Sequence, residues 1–362
     1  MERWTGFGSA IAGHMPLLVP LCVVLGVLFP RFFGAMSPLV PAIFAFMTFQ
    51  GSLNNSLAQV IDTFKHPADL IAIILVSLVF MPLAAFGLAQ LLFAGNVNLI
   101  TGIVLEYSVP VGIVSFMWVG IYGGNGSLAL ATILLTTVIS PFSIPFTLNA
   151  LLGEAVAIDA LGMMREMLFM IAIPALAGMV LNEVTGGWGH TRLSPVISPA
   201  CRVLMLVVIT ANSTAMSGHV LHMTWERAEV ALFILLFAST GFVWGALAAR
   251  LLGRSFPTLV TMSFDCGLRN ISSGAVIATR YFPGEVVFPV MCGTLFQQVL
   301  ASMAGRTMMW LGREERERSR AAVEAGRAAV DAAMAEVGAG EGTAALAEGS
   351  AGSTASTPER EG

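Results

Sequence analysis

The stretch Thr261-Met262-Ser263-Phe264-Asp265-Cys266-Gly267-Leu268-Arg269-Asn270-Ile271-Ser272-Ser273-Gly274 sets a carboxylate, a guanidinium, an amide and two glycines inside an otherwise apolar segment of about residues 257–281. A segment of that length can cross a bilayer. A charge at bilayer depth costs about 3 kcal/mol or more on insertion scales, so each one has to be paired or face a polar cavity. Asp265 and Arg269 stand four residues apart, and on a continuous helix that spacing lets them pair. Gly267 and Gly274 are expected to let the helix unwind, and non-helical backbone at that depth is tolerated only where protein or a water-filled cavity satisfies it. The stretch reads as the middle of a substrate pathway.

The remainder of the chain fits a membrane setting. Of 362 residues, 56% are hydrophobic and only 11% are charged, with a mean hydropathy of +0.81. Soluble globular domains carry about a quarter of their residues charged. The net charge of −4 and the single lysine, Lys65, offer nothing to a nucleic acid. Cys22, Cys201, Cys266 and Cys292 sit within or beside apolar runs without a CxxC pair, so neither a disulfide framework nor a zinc site is expected. The residues from Met1 to His14 lead into an apolar run with no clear cleavage site, which is therefore kept as a first span.

Ten spans are expected, at about residues 14–33, 37–54, 68–94, 98–122, 126–152, 162–183, 196–217, 227–252, 256–281 and 284–311. Gly/Asn/Pro connections such as Gly95-Asn96, Gly123-Gly124-Asn125 and Phe282-Pro283-Gly284 separate them. The fourth span is interrupted like the ninth: Glu106-Tyr107-Ser108-Val109-Pro110-Val111-Gly112 holds a carboxylate, a proline and a glycine. Pro110 removes a backbone donor and clashes with the preceding turn, so the helix has to break there. The two interrupted spans occupy position four in each group of five, and an odd number of spans per group turns the second group over across the membrane. Interrupted spans at corresponding positions point to the binding site of an inverted-repeat transporter. The expected architecture is an all-α polytopic membrane protein of ten transmembrane helices. Residues 1–153 form one five-helix repeat, 154–312 its inverted counterpart, and 313–362 a polar tail, helical and then disordered. Residues 154–162 are expected to form a surface helix. The bias of Arg3, Lys65, Arg192, Arg250, Arg254, Arg306, Arg313 and Arg316 over Arg31, Arg227 and Arg280 puts both termini on the cytoplasmic side of the inner or plasma membrane.

These residues support a resemblance. Val109-Pro110-Val111-Gly112-Ile113-Val114-Ser115, with Gly123-Gly124-Asn125 and Thr136-Thr137-Val138-Ile139-Ser140-Pro141, resembles the fourth and fifth helices of the bile acid:sodium symporter family. Asp265-Cys266-Gly267-Leu268-Arg269-Asn270 resembles the glutamate-x-glycine-x-glutamine-asparagine motif of its ninth helix. The resemblance covers about residues 14–311 and implies helices four and nine broken and crossing, a substrate that is a small organic anion, and two sodium ions bound behind the crossing. The sodium ligands it implies are degraded here. Asp265 replaces the glutamate and Arg269 the glutamine, Phe116 follows Ser115 in place of an asparagine, Ala129 and Ile133 fall where hydroxyls are expected, and Ser77 takes the place of another glutamine. A guanidinium has only donors. Arg269 is therefore expected to act as a tethered cation that holds Asp265 ionised, and no cofactor is expected.

Candidate substrate-binding residues are Asp265, Arg269, Asn270, Ser272, Ser273, Pro110, Gly112, Ser115 and Gln297, with Glu106 and Asp265 as candidates for coupling. The serines have a second reading, bonding to their own helix. Glu106 is a site of proton exchange if it lies deep, and simply solvated if it lies at a helix end. Of Gln297 and Gln298, one is expected to face the crossing and the other a neighbouring helix. Thr210, Asn212, Ser213 and Thr214 are expected to bond between helices. The leading function is alternating-access transport of an organic anion; a membrane sensor or binding protein without net transport is the alternative. A metalloid exporter wants a soft cysteine ligand in the fourth span, which residues 98–122 lack. An intramembrane hydrolase wants HExxH or two facing aspartates, and Asp265 is the only aspartate deep in a span. Expected partners are the substrate and the lipid bilayer; oligomeric state is not encoded in any motif.

Overall fold

The structure, a computed structural model, describes residues 2–54, 67–153 and 159–313. Lys65, the first part of the expected surface helix and the tail beyond residue 313 lie outside the described residues. Within them the chain is helical, and no strand forms beyond one isolated bridge.

In order, the helices are α1 (Glu2–Leu28), α2 (Pro30–Ser52), α3 (Pro67–Leu92), α4 (Val97–Ser108), α5 (Val114–Ile121), α6 (Gly126–Leu152), α7 (Ala160–Val184), α8 (Gly189–Leu221), α9 (Trp225–Leu251), α10 (Phe256–Gly267), α11 (Ile271–Tyr281) and α12 (Gly284–Leu311). By length and composition seven of these, α2, α3, α6, α7, α8, α9 and α12, can cross a membrane. The fourth and ninth expected spans are each split into two pieces. At 12 and 8 residues, and at 12 and 11, none of those pieces reaches across a hydrocarbon core of about 30 Å alone.

Local chemistry places the ends. Asn96, Asn125, Thr224 and Asn270 each accept a hydrogen bond from the backbone N–H three residues on, capping α4, α6, α9 and α11. The boundary between the first two helices lies at Phe29, ahead of the expected 34–36, because Pro30 starts a new helix there and the residue before a proline avoids the helical region. Wide π-helical turns at Leu75–Phe80, Leu168–Ala172 and Gly189–Leu193 each end just before a proline, Pro82, Pro174 or Pro195. A proline cannot donate to the carbonyl four residues back, and each of those carbonyls lies within the widened turn.

Two bundles result. Helices α1, α2, α7 and α8 pack on one another, as do α3, α4, α5, α6, α9 and α10, and α6 also lies along α7 of the first group. The last helix, α12, lies along the second bundle. Val286 and Pro289 sit against Gly102 of α4, and Gly305 against the Tyr122 ring. The half-helix α11 touches both, contacting α4 in one and α2 and α8 in the other.

Candidate functional site

The breaks in the fourth and ninth segments are made for each other. After Ser108 the chain turns extended at Val109 (φ −71°, ψ 155°), and after Gly267 at Leu268 (φ −113°, ψ 126°). The two extended pieces then pair antiparallel at Val111 and Arg269. Asn270 N–H donates to the Pro110 carbonyl at 2.9 Å, and Gly112 N–H donates to the Leu268 carbonyl at 3.0 Å. Val111 N–H donates to the Thr136 hydroxyl of α6 at 3.2 Å. Backbone groups that lose their helical partners thereby find new ones away from water, as buried peptide groups must. Gly112 is required by proximity: a Cβ there would sit 2.6 Å from the Arg269 carbonyl oxygen. Gly267 is likewise pressed against the Phe242 ring, and neither it nor Gly274 adopts a positive φ. The helix opens directly after Gly267, with Leu268 to Asn270 non-helical, whereas Gly274 lies within α11.

That geometry undoes the expected ion pair. Because Leu268 is extended, Arg269 no longer stands one turn above Asp265, and the described residues contain no ion pair between them. Asp265 is wholly buried. The Ser115 hydroxyl of α5 donates to its Oδ1 at 2.8 Å, the nearby Thr132 hydroxyl of α6 donates to the Leu128 carbonyl of its own helix at 2.8 Å, and Oδ2 has no partner. The ionisable groups around the buried Arg269 guanidinium are Cys266, Tyr107 and Glu106. Its Nη1 and Nη2 have no hydrogen-bond partner. Glu106 is deep and not at a solvated helix end. It is 2% exposed, its carboxyl packs against Gly293 of α12 beside the Ile271 side chain, and its Oε2 has no partner.

The other candidates sort by contact. Pro110, Gly112 and Asn270 form the backbone bridge, and Asn270 also caps α11. Ser273 is buried with an unbonded hydroxyl, so it does not bond to its own helix; Ser272 is half-buried. Gln298 accepts from the Trp118 indole of α5 at 3.1 Å, while Gln297 keeps a buried Oε1 without a partner. Phe116 is exposed, whereas Ala129 and Ile133 are buried apolar residues. Ser77 is buried on the π-helical turn of α3 that packs against α10, with no partner for its hydroxyl. Thr210, Ser213 and Thr214 bond back to Leu206, Ile209 and Ala211 of their own helix, a correction to the expected bonds between helices.

Three positions beside the site are not among the sequence candidates. Thr132 and Thr136 are one helical turn apart and face the site; that spacing was the available signal. Gly293 left none. The Ser115 hydroxyl oxygen and the unbonded Oδ2 of Asp265 are oxygen donors of the kind a sodium ion takes. Arg269 brings donors only and does not fit as a ligand.

The chain is similar in sequence to known proteins. The family described as Sodium Bile acid symporter family matches residues 41–223. "Uncharacterized protein YbaS" of Bacillus subtilis (strain 168) is 38% identical over 291 residues, 80% of this chain and 95% of that protein. "Probable sodium/metabolite cotransporter BASS1, chloroplastic" of Arabidopsis thaliana is 27% identical over 292 residues, 80% of this chain and 71% of that one. "Uncharacterized sodium-dependent transporter YocS" of Bacillus subtilis (strain 168) is 21% identical over 280 residues, 77% and 86% of the two chains. With apolar spans, two mutually bonded helix breaks and relatives matched over four-fifths of its length, the chain is a multi-pass membrane transporter that belongs to the sodium bile acid symporter family.

Proposed function

We propose that the protein is a secondary transporter of a small organic anion, working by alternating access, in which the bundle carrying the crossing moves against the bundle of α1, α2, α7 and α8. The observation that carries this reading is the backbone bridge between the two breaks, with the buried Asp265, Arg269 and Glu106 around it. Buried ionisable groups inside membrane segments mark solute and ion pathways. The half-helix α11 starts at the bridge, and its N-terminus favours an anion; the unbonded Ser273 hydroxyl lies in that first turn. Asn270, Ser272, Ser273 and Gln297 are the residues proposed to meet substrate there, beside Pro110, Gly112 and Ser115. The names of the relatives, sodium/metabolite cotransporters among them, support the class.

In the full reading the chain forms two inverted five-helix repeats, residues 1–153 and 154–312, with ten crossings and both termini cytoplasmic. The positions of the two breaks, fourth in each group, support it. Transport is proposed to be independent of sodium at the Arg269 position, where a fixed positive charge stands in place of a sodium-binding glutamine. Counterflow uptake of organic acids into proteoliposomes, with sodium replaced by potassium or choline, tests both parts. Uptake that persists in choline is the expected result. Strict sodium dependence would return the cation role to Asp265, and binding without flux would make the protein a sensor.

A further inference from the structure

We propose that a lateral groove between α3 and α9 is a phospholipid site, which takes one acyl chain of a phosphatidylethanolamine and holds its ammonium group at Glu229. The site lies apart from the crossing and does not rest on the transport reading.

The groove follows from the course of α3. Up to Phe80 this helix packs along α9; after the π-helical turn at Leu75–Phe80 and Pro82 it runs chiefly along α4. Prolines and π-bulges are what bend helices. The space left between α3 and α9 has a volume of about 420 Å³, and Leu88, Leu92 and Phe93 wall it on one side. On the other side α9 presents Glu229, Leu232, Phe233, Leu236, Phe237 and Thr240, a single stripe at helical spacing. From Glu229 to Thr240 that stripe is about 16 Å long. One turn further the two helices meet again, where the Phe80 and Trp244 rings stand edge-on with centroids 4.8 Å apart. The groove is therefore elongated and shut beyond Thr240.

Its lining is apolar except at the mouth. Leu88, Leu92, Leu232 and Leu236 form exposed lips, whereas Phe93, Phe233 and Phe237 are buried and form the back wall, with Phe233 in contact with both other rings. Phe237 in turn meets Tyr107 of α4 edge-on, so the wall backs the segment that ends at the first break. The Thr240 hydroxyl donates to the Phe237 carbonyl of its own helix. No lining side chain other than Glu229 offers a free polar group. Among the described residues its carboxylate has no hydrogen-bond or ion-pair partner. Arg227, two residues before it, is turned to the His219 and His222 carbonyls and to Glu285. The exposed Trp225, one turn before Glu229, is an interfacial anchor that puts the carboxylate beside the lipid headgroups. An acyl chain laid along the leucines and phenyl rings brings an ammonium group opposite this carboxylate. An anionic headgroup in the same place meets like charge.

The test is native mass spectrometry of the full-length protein, released from detergent after incubation with phosphatidylethanolamine and phosphatidylglycerol of identical acyl chains. One phosphatidylethanolamine per protein is expected to be retained, with about fivefold preference over phosphatidylglycerol. Glu229→Gln is expected to abolish that preference. Leu236→Trp, which fills the groove from its lip, is expected to remove retention of both lipids. Both side chains are exposed, so both variants are expected to keep the Tm of the parent. Equal retention of the two lipids by the parent, a preference that survives Glu229→Gln, or retention indifferent to Leu236→Trp would each overturn the proposal. So would a dimer in place of the lipid-bound monomer, since a second copy would then cover the groove.

Discussion

Ser115 holds Asp265 from outside its own helix, across the interval between α5 and α10. A hydrogen bond to a charged group contributes about 1.5–3 kcal/mol. Ser115→Ala is therefore expected to destabilise by about that much, and Ser115→Thr, which keeps the hydroxyl, by much less. Equal losses in chemical unfolding of the two variants would show that the hydroxyl is not what matters. Gly112 is a sharper case: Gly112→Ala places a carbon 2.6 Å from the Arg269 carbonyl oxygen, and overpacking of this kind costs about 1–3 kcal/mol. A Tm unchanged by that substitution would mean the crossing has room the distances deny. At this scale the sequence was partly legible. Ser115, Asp265 and Glu106 announce themselves as polar residues in apolar surroundings. The pairing of Asp265 with Arg269 was misread because the four-residue rule presumes a continuous helix.

Helix boundaries were more legible than side-chain partners. Pro110 located the first break because its effect on a helix is local and obligatory. The second break falls directly after Gly267, the chain opening at Leu268, and Gly267 and Gly274 also pack closely against Phe242, Val109 and Val290. What a sequence scan does not carry is that each break is the hydrogen-bonding partner of the other, since the bonded residues lie some 160 positions apart. Asn270 joins both roles, capping α11 through its side chain and bridging through its backbone. Asn270→Ala removes only the cap, so a loss of about 0.5–2 kcal/mol is expected, with the crossing preserved. Amide hydrogen exchange would check this: increased exchange is expected at the Ser273 amide, not at the Asn270 amide. Exchange that rises equally at both would show that the side chain supports the bridge as well.

Between the bundles, a polar clasp joins α7 to the end of α11. Arg280 Nε is 2.9 Å from Glu166 Oε1, and the Tyr281 hydroxyl donates to Glu166 Oε2 at 2.5 Å. The other side-chain ion pairs among the described residues, Arg254 with Asp69 and Arg227 with Glu285, lie within the second bundle or its connections. If the bundles move as proposed, this clasp would hold one end closed. Exposed ion pairs contribute about 0–1 kcal/mol, so Glu166→Ala is expected to shift the balance of open and closed forms by no more than about fivefold, with little change in stability. The measurement is thiol labelling of a cysteine introduced beside Arg280, whose rate should rise in the variant; an unchanged rate would show that the clasp does not gate. The division into bundles was only half visible in the sequence, because hydropathy marks which segments enter a membrane but not which of them touch. The reciprocal bonding of the two interruptions has a consequence for descent as well as for motion. Straightening either one into an unbroken rod would strand the peptide groups of the other in a dry interior, so a lineage can neither gain nor lose this crossing one strand at a time.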